Sequence, residues 1–229
     1  MTACRLGIDL GGTKTEAVVL DAAGRECWRH RIATQQHSAA TVCAGIVELV
    51  RAAESALGQR CSVGIGTPGS LSPRTGLLRG SNTVVLNGQP VKQMLEQQLG
   101  REVRIANDAN CFALSEAVDG AGRGARTVFG AILGTGVGAG IVIDGKVLDG
   151  LHGIGGEWGH NPLPWPEQDE LPAALGGRAT VCYCGKPGCI ETWLSGTGIQ
   201  AHFADGSVHA ADIVTRAAAG DEAADAYLR

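Results

Sequence analysis

Two stretches of this chain, 123 residues apart from Gly11 to Gly134, share one plan: a strand, a glycine-rich turn, a second strand and a polar turn. The first runs from Leu6 to Gly24 and the second from Ala131 to Gly145. On superposition Val18-Val19-Leu20 falls on Ile141-Val142-Ile143, and Asp21 on Asp144. Such an echo predicts two related halves, each opening with a glycine-tipped hairpin. Glycine tips let backbone N–H groups approach an anion closely, because no Cβ intervenes. Gly11, Gly12 and Thr13 form one candidate phosphate cradle, and Asp9, at the end of the preceding strand, is placed to hold Mg²⁺ or its waters. Lys14 is ambiguous, and either loop alone is equally readable as a structural hairpin. Facing one another across a cleft, the two loops would clamp a nucleoside triphosphate. The Walker A pattern is absent: Gly145-Lys146 precedes Val147 and Gly185-Lys186 precedes Pro187. A dinucleotide fold fits poorly, since the second glycine run passes into a strand rather than a helix.

Between the loops, Val103 and Ile105 alternate as a strand, and the chain from Ala109 onward has helical composition. Asn107 and Asp108 therefore stand at a strand-to-helix junction, where open α/β sheets bind ligands. A carboxylate there can take a proton from a substrate hydroxyl attacking a phosphate. The competing reading is a plain helix cap, and both can hold. Val63 to Ser70 is a short strand ending in a tight turn, and Gly80 to Thr83 is a polar turn; both could present hydrogen-bonding groups to a polyol, though each alone is an ordinary loop. The stretches Val42 to Leu57 and Val91 to Leu99 carry apolar stripes at helical spacing and are read as core.

Of eight cysteines, Cys182, Cys184 and Cys189 crowd around Gly185, Pro187 and Gly188, a tight turn that can wrap thiolates about one ion. His160, in Gly-Glu-Trp-Gly-His, supplies a fourth ligand for a tetrahedral Cys3His zinc site; three buried thiols are the alternative. Cys4, Cys27, Cys43, Cys61 and Cys111 are read as small core residues. Glu157 and Glu191 flank the proposed ligands and suit sugar hydroxyls. One His160 nitrogen could bind zinc while the other donates to substrate, so that the metal orders the sugar pocket.

Composition excludes several classes. A net charge of −4 and 4% aromatic residues argue against a nucleic-acid partner. The most apolar window, Val128 to Ile143, carries five glycines, so no membrane helix is expected. No leader pattern precedes the first strand, which predicts a cytoplasmic protein.

Asp9-Leu-Gly-Gly-Thr-Lys14, Ala106-Asn-Asp-Ala-Asn-Cys111, Leu133-Gly-Thr-Gly-Val-Gly138, Gly156-Glu-Trp-Gly-His160 and Cys182-Tyr-Cys-Gly-Lys-Pro-Gly-Cys-Ile-Glu191 together resemble the signature elements of the ROK sugar kinases. Ser115 to Ala121, Asn161 to Trp165 and Glu191 to Gly198 look most like the fructokinase, or manno(fructo)kinase, branch. The resemblance implies an α/β, actin-like ATPase fold of two ribonuclease-H-like domains, placed at 1–117 and 118–229. It implies ATP, Mg²⁺, a structural Zn²⁺, a hexose substrate and a homodimer. Carried over by position, Asp108 is the catalytic base, and Gly69, Ser70, Asn82, Asn107, Glu157, His160 and Glu191 form the sugar site. Gly7, Ile8, Asp9, Leu10, Gly11, Gly12, Thr13 and Lys14 hold ATP, together with Gly134, Thr135, Gly136, Val137, Gly138, Ala139, Gly140 and Ile141. The implied reaction is γ-phosphate transfer to the 6-hydroxyl of fructose or mannose. An N-acetylglucosamine or N-acetylmannosamine kinase is the alternative, and a sugar-responsive repressor is the alternative of another class. Family members extend past the end of this chain, so a second domain cut short is expected.

Overall fold

In the segment Arg5–Leu10 (β1) every second residue is buried: Leu6, Ile8 and Leu10 point one way, and Arg5, Gly7 and Asp9 the other. That period of two makes a strand with one apolar face. The structure, a computed structural model, describes residues 4–167, 179–203 and 206–228. Residues 1–3, on which the expectation of no leader partly rests, lie outside the described residues. The chain divides into two units, one of residues 1–115 and 149–155, the other of 116–148 and 156–229.

In the first unit β1 pairs antiparallel with β2 (Lys14–Leu20), which pairs antiparallel with β3 (Glu26–Ala33). The chain then forms helix α1 (Ala39–Leu57), opened by a capping box on Ser38 and closed at left-handed Gly58. Its stripe of Val42, Ile46, Leu49, Val50 and Ala53 is buried in the same cluster as the inner face of β1. Strand β4 (Ser62–Thr67) returns parallel to β1, and a two-stranded ribbon of β5 (Ser70–Leu71) and β6 (Leu78–Arg79) follows. Helix α2 (Val91–Leu99) leads to β7 (Arg104–Asn107), parallel to β4, and thence to α3 (Asp108–Val118). The sheet order is β3-β2-β1-β4-β7. Residues 149–155 belong to this unit as a strap: Asn110 Nδ2 donates to Asp149 Oδ1 at 3.2 Å, and an Arg79 guanidinium donates to the carbonyl of His152.

The second unit opens with the hairpin β8 (Thr127–Leu133) and β9 (Val137–Ile143), to which β10 (Lys146–Val147) adds antiparallel. The meander β1-β2-β3 is thereby echoed by β8-β9-β10. A one-turn 3-10 helix spans Trp158–His160, and among the described residues four short helices follow: α4 (Glu191–Leu194), α5 (Gly196–His202), α6 (Ala210–Ala218) and α7 (Glu222–Leu228). Phe203, Ile213 and Ala224 are the buried apolar residues of a small cluster here. Among the described residues, no helix is long and apolar enough to cross a membrane.

The reading of five scattered cysteines as core thiols requires correction. Cys43 alone is a buried free thiol; Cys27 and Cys111 are exposed. Cys4 and Cys61 are buried but disulfide-bonded, with Cα atoms 4.8 Å apart. Each directly precedes a strand, and the parallel register Arg5↔Ser62 sets the two side by side.

Candidate active site and metal centre

Parallel pairing gathers the candidate residues of the first unit at one edge of its sheet. Asp9 lies opposite Gly66, and Thr67 lies opposite Asn107, so β1, β4 and β7 all deliver their carboxyl ends to the same side. The Asn107 side chain caps α3, its Oδ1 accepting from the Asn110 N–H at 3.1 Å, while its Nδ2 donates to the Gly69 carbonyl at 3.2 Å. Gly69 has φ +81°, and a Cβ there would stand 2.2 Å from the Arg79 carbonyl oxygen, so only glycine fits. Asp108 Oδ1 accepts from the Ala109 N–H at 2.8 Å. The cap and the candidate base are thus neighbouring residues with separate duties.

Burial first, then the carboxylates of Asp108 and Glu16, hold the Asp9 carboxyl above its usual 3.8, with Arg31 pulling the other way. Glu16, opposite Asp9 in the register, is itself paired to Arg29 and Arg31. Asp9 and Asp108 therefore repel one another across the sheet edge. A dication there would relieve that repulsion, which fits the Mg²⁺ expected from the sequence. In the first loop, Gly11 N–H donates to the Lys14 carbonyl at 3.0 Å, closing the turn, and Asn82 Oδ1 stands 3.6 Å from where a Gly12 Cβ would be. Gly7, Ile8 and Leu10 are inside β1, with Ile8 and Leu10 in the core, and Lys14 opens β2. Only Gly11, Gly12 and Thr13 form the loop itself. Ser70 begins β5, next to Gly69.

In the second unit the tip is Gly134 to Gly136, since Val137, Gly138, Ala139, Gly140 and Ile141 are ladder residues of β9. Gly134 N–H donates to Gly136 O at 2.9 Å, and the Gly196 N–H holds the Gly134 carbonyl at 2.7 Å. The Val137 N–H donates to Glu191 Oε2 at 3.0 Å, a contact that sequence reading missed. The Thr135 and Gly136 N–H groups carry no hydrogen bond among the described residues.

The segment Gly156 to His160 is fastened onto β9. Trp158 Nε1 donates to the Gly138 carbonyl at 2.8 Å, and a Cβ on Gly159 would lie 2.1 Å from the Val137 carbonyl oxygen. Glu157 immediately precedes this turn. His160 then meets the cysteine loop, which an isolated bridge between Pro162 and Cys189 ties to the same segment. Ligand atoms of His160, Cys182, Cys184 and Cys189 all lie within 4.8 Å of one another. Cys184 Sγ is 3.6 Å from Cys189 Sγ, and Cys182 Sγ is 3.5 Å from His160 Nδ1. Tetrahedral zinc with bonds of about 2.3 Å to sulfur and about 2.0 Å to nitrogen requires edges of roughly 3.5–3.8 Å. The donor set and spacing fit zinc. Burial raises the Cys182 and Cys189 thiols, whereas a backbone hydrogen bond at Lys186 draws Cys184 down; a dication would ionise all three.

The sequence model of the ROK family matches residues 5–229. The chain belongs to the ROK family. Among ROK relatives, it is 40% identical over 221 residues to an N-acetyl-D-glucosamine kinase of Pectobacterium atrosepticum, covering 95% of this chain and 72% of that protein. The ROK hexokinase of Thermus thermophilus superposes with a TM-score of 0.79 at 32% identity, covering 98% of this chain and 72% of that one. A ROK glucokinase of Streptomyces griseus, solved with glucose and AMPPNP, gives a TM-score of 0.75 at 28% identity over 98% of this chain and 74% of that one. The fold is accordingly the actin-like ATPase fold of ROK sugar kinases.

Proposed function

We propose that this chain is an ATP-dependent N-acetyl-D-glucosamine kinase that phosphorylates the sugar 6-hydroxyl. The observation that carries the chemistry is Asp108, set at the carboxyl edge of the parallel strands with Asp9 near enough to repel it. The observation that favours this sugar over fructose is the 40% identity to N-acetyl-D-glucosamine kinases over nearly the whole chain. The fructose and mannose reading, drawn from short motif stretches, has no such support.

When bound, ATP supplies the γ-phosphoryl group, and Mg²⁺ neutralises its charge. Asp9 holds the cation. Gly12 and Thr13 of the first unit offer backbone N–H groups to phosphate oxygens, and so, separately, do Thr135 and Gly136 of the second. Asp108 accepts the proton of the attacking hydroxyl, its orientation fixed by the Ala109 N–H. Within the first unit the candidate sugar ligands are Gly69, Ser70, Asn82 and Asn107; within the second they are Glu157, His160 and Glu191. His160, Cys182, Cys184 and Cys189 bind zinc, which orders the Glu157 and Glu191 segments. A homodimer belongs to the same proposal, and its mass in solution is the check.

The deciding experiment is ADP release by the purified full-length protein with N-acetylglucosamine, N-acetylmannosamine, glucose, mannose and fructose in parallel. N-acetylglucosamine should give the highest kcat/KM; a preference for fructose overturns the substrate. Asp108→Asn should lower kcat by about 10²–10⁴ with sugar binding retained. Wild-type turnover in that variant would remove Asp108 from the mechanism.

A further inference from the structure

In a planar trans peptide the N–H points opposite to the C=O, so a hydrogen bond that fixes one residue's carbonyl also aims the next residue's N–H. No peptide among the described residues is cis. In the first unit Thr34 Oγ1 donates to the Gly11 carbonyl at 2.8 Å, and Gln36 Nε2 donates to the Gly12 carbonyl. The N–H groups that share those two peptides are those of Gly12 and Thr13. Neither carries a hydrogen bond among the described residues.

The second unit builds the same arrangement from other elements. The Gly196 N–H holds the Gly134 carbonyl at 2.7 Å, and Thr197 Oγ1 donates to the Thr135 carbonyl at 3.1 Å. The groups so aimed are the unbonded N–H groups of Thr135 and Gly136, while the next, that of Val137, donates to Glu191 Oε2. The Thr197 hydroxyl is itself oriented. Its one proton goes to the loop, so Ser195 Oγ, 3.0 Å away, donates to it and in turn accepts the Gly198 N–H at 2.9 Å. In both loops two consecutive carbonyls are tied back and the two N–H groups that follow them are left free, the geometry of an anion nest.

We propose that Thr34 and Thr197 are the positioning residues of the two phosphate loops. Each hydroxyl acts through the loop backbone rather than on the nucleotide, holding one carbonyl back so that the N–H beyond it faces a phosphate oxygen. The inference deepens, and rests on, the reading of these loops as the ATP site.

The test uses the full-length protein labelled with ¹³C and ¹⁵N. Adding AMPPNP with Mg²⁺ to the wild type should shift the amide resonances of Gly12, Thr13, Thr135 and Gly136. No shift there would overturn the ATP-site reading and this inference with it, before any variant is compared. Thr34→Val and Thr197→Val keep the side-chain shape and remove the donor. Each should raise the KM for ATP about fivefold, as for one ordinary hydrogen bond, with kcat and the KM for sugar within about twofold of wild type. Thr34→Ser and Thr197→Ser retain the hydroxyl and should restore the wild-type KM. Without nucleotide, the carbonyl ¹³C resonance of Gly11 in Thr34→Val, and of Thr135 in Thr197→Val, should move upfield as its hydrogen bond is lost. A valine variant with a lowered urea midpoint but a wild-type KM for ATP makes that hydroxyl a turn stabiliser only and overturns its positioning role. An unmoved carbonyl resonance, or a raised KM that serine does not restore, overturns it as well.

Discussion

The two units open with the same three-stranded meander, yet different physics holds the remainder of each together. In the first, Leu6, Ile8 and Leu10 on β1 meet Ile46, Leu49 and Val50 on α1, with Val63, Ile65, Leu78, Leu86 and Leu95 closing one large apolar cluster. In the second, the described apolar cluster is confined to Phe203, Ile213, Ala224 and their partly buried neighbours, while Phe129 and Leu133 on β8 are exposed. After the hairpin, the described residues 156–167 and 179–203 are organised by glycines packed onto backbone carbonyls, by side-chain bonds to backbone and by four metal-type ligands. One half of an internal repeat can therefore rely on hydrophobic burial while its counterpart relies more on polar contacts, to which the proposed zinc would add coordination.

The largest test of this contrast is metal removal. Structural zinc contributes on the order of 10 kcal/mol in small zinc-bound folds. Chelation, or Cys184→Ser, should abolish hydrogen-exchange protection around Trp158 to Leu194 and leave the amides of β1 and α1 protected. Simultaneous loss in both units would break the comparison. Next in size is Ile46→Ala: Ile46 is 1% exposed, and truncation should cost about 2–5 kcal/mol in the first unit, seen in its urea midpoint, with zinc affinity unchanged. Glu191→Gln should weaken the bond to the Val137 N–H and cost about 1–2 kcal/mol, read as faster exchange of that amide.

The smallest effect concerns pH. A carboxyl raised in the folded protein contributes stability below its unfolded value and loses it as pH rises through the folded value. Asp9, raised above its usual 3.8 by burial and by Asp108, therefore weakens the first unit as pH rises and it ionises. Asp9→Asn should raise the urea midpoint at pH 7, with the gain vanishing below about pH 3.8, even as activity falls. A midpoint gain independent of pH would contradict this.

How much of this was legible in the sequence depends on the range of the contact. The hairpins, the Asn107–Asp108 junction and the helical stripes are local patterns, and each is found where its period or turn residue indicates. The Cys3His cluster was legible because three of its ligands share one tight loop. The Cys4–Cys61 disulfide was not, because the two meet only through a parallel register between strands separated by α1. Nor was the Glu191 bond to Val137, which requires knowing that the cysteine loop folds back on the glycine hairpin. The short motif stretches pointed to a different sugar from the one the relatives favour, because a sugar preference rests on a few pocket contacts that carry no motif of their own.

The strap of residues 149–155 bears on how this chain can be divided. Because the backbone leaves the first unit after Ser115 and re-enters it at Asp149, no single cleavage releases both units whole. A cut near Ser115 leaves the N-terminal fragment without Asp149, the hydrogen-bond partner of Asn110; a cut after Gly155 leaves β8, β9 and β10 attached to the wrong piece. Exchange of halves between homologues would need three junctions, and its natural boundaries would be 115/116, 148/149 and 155/156.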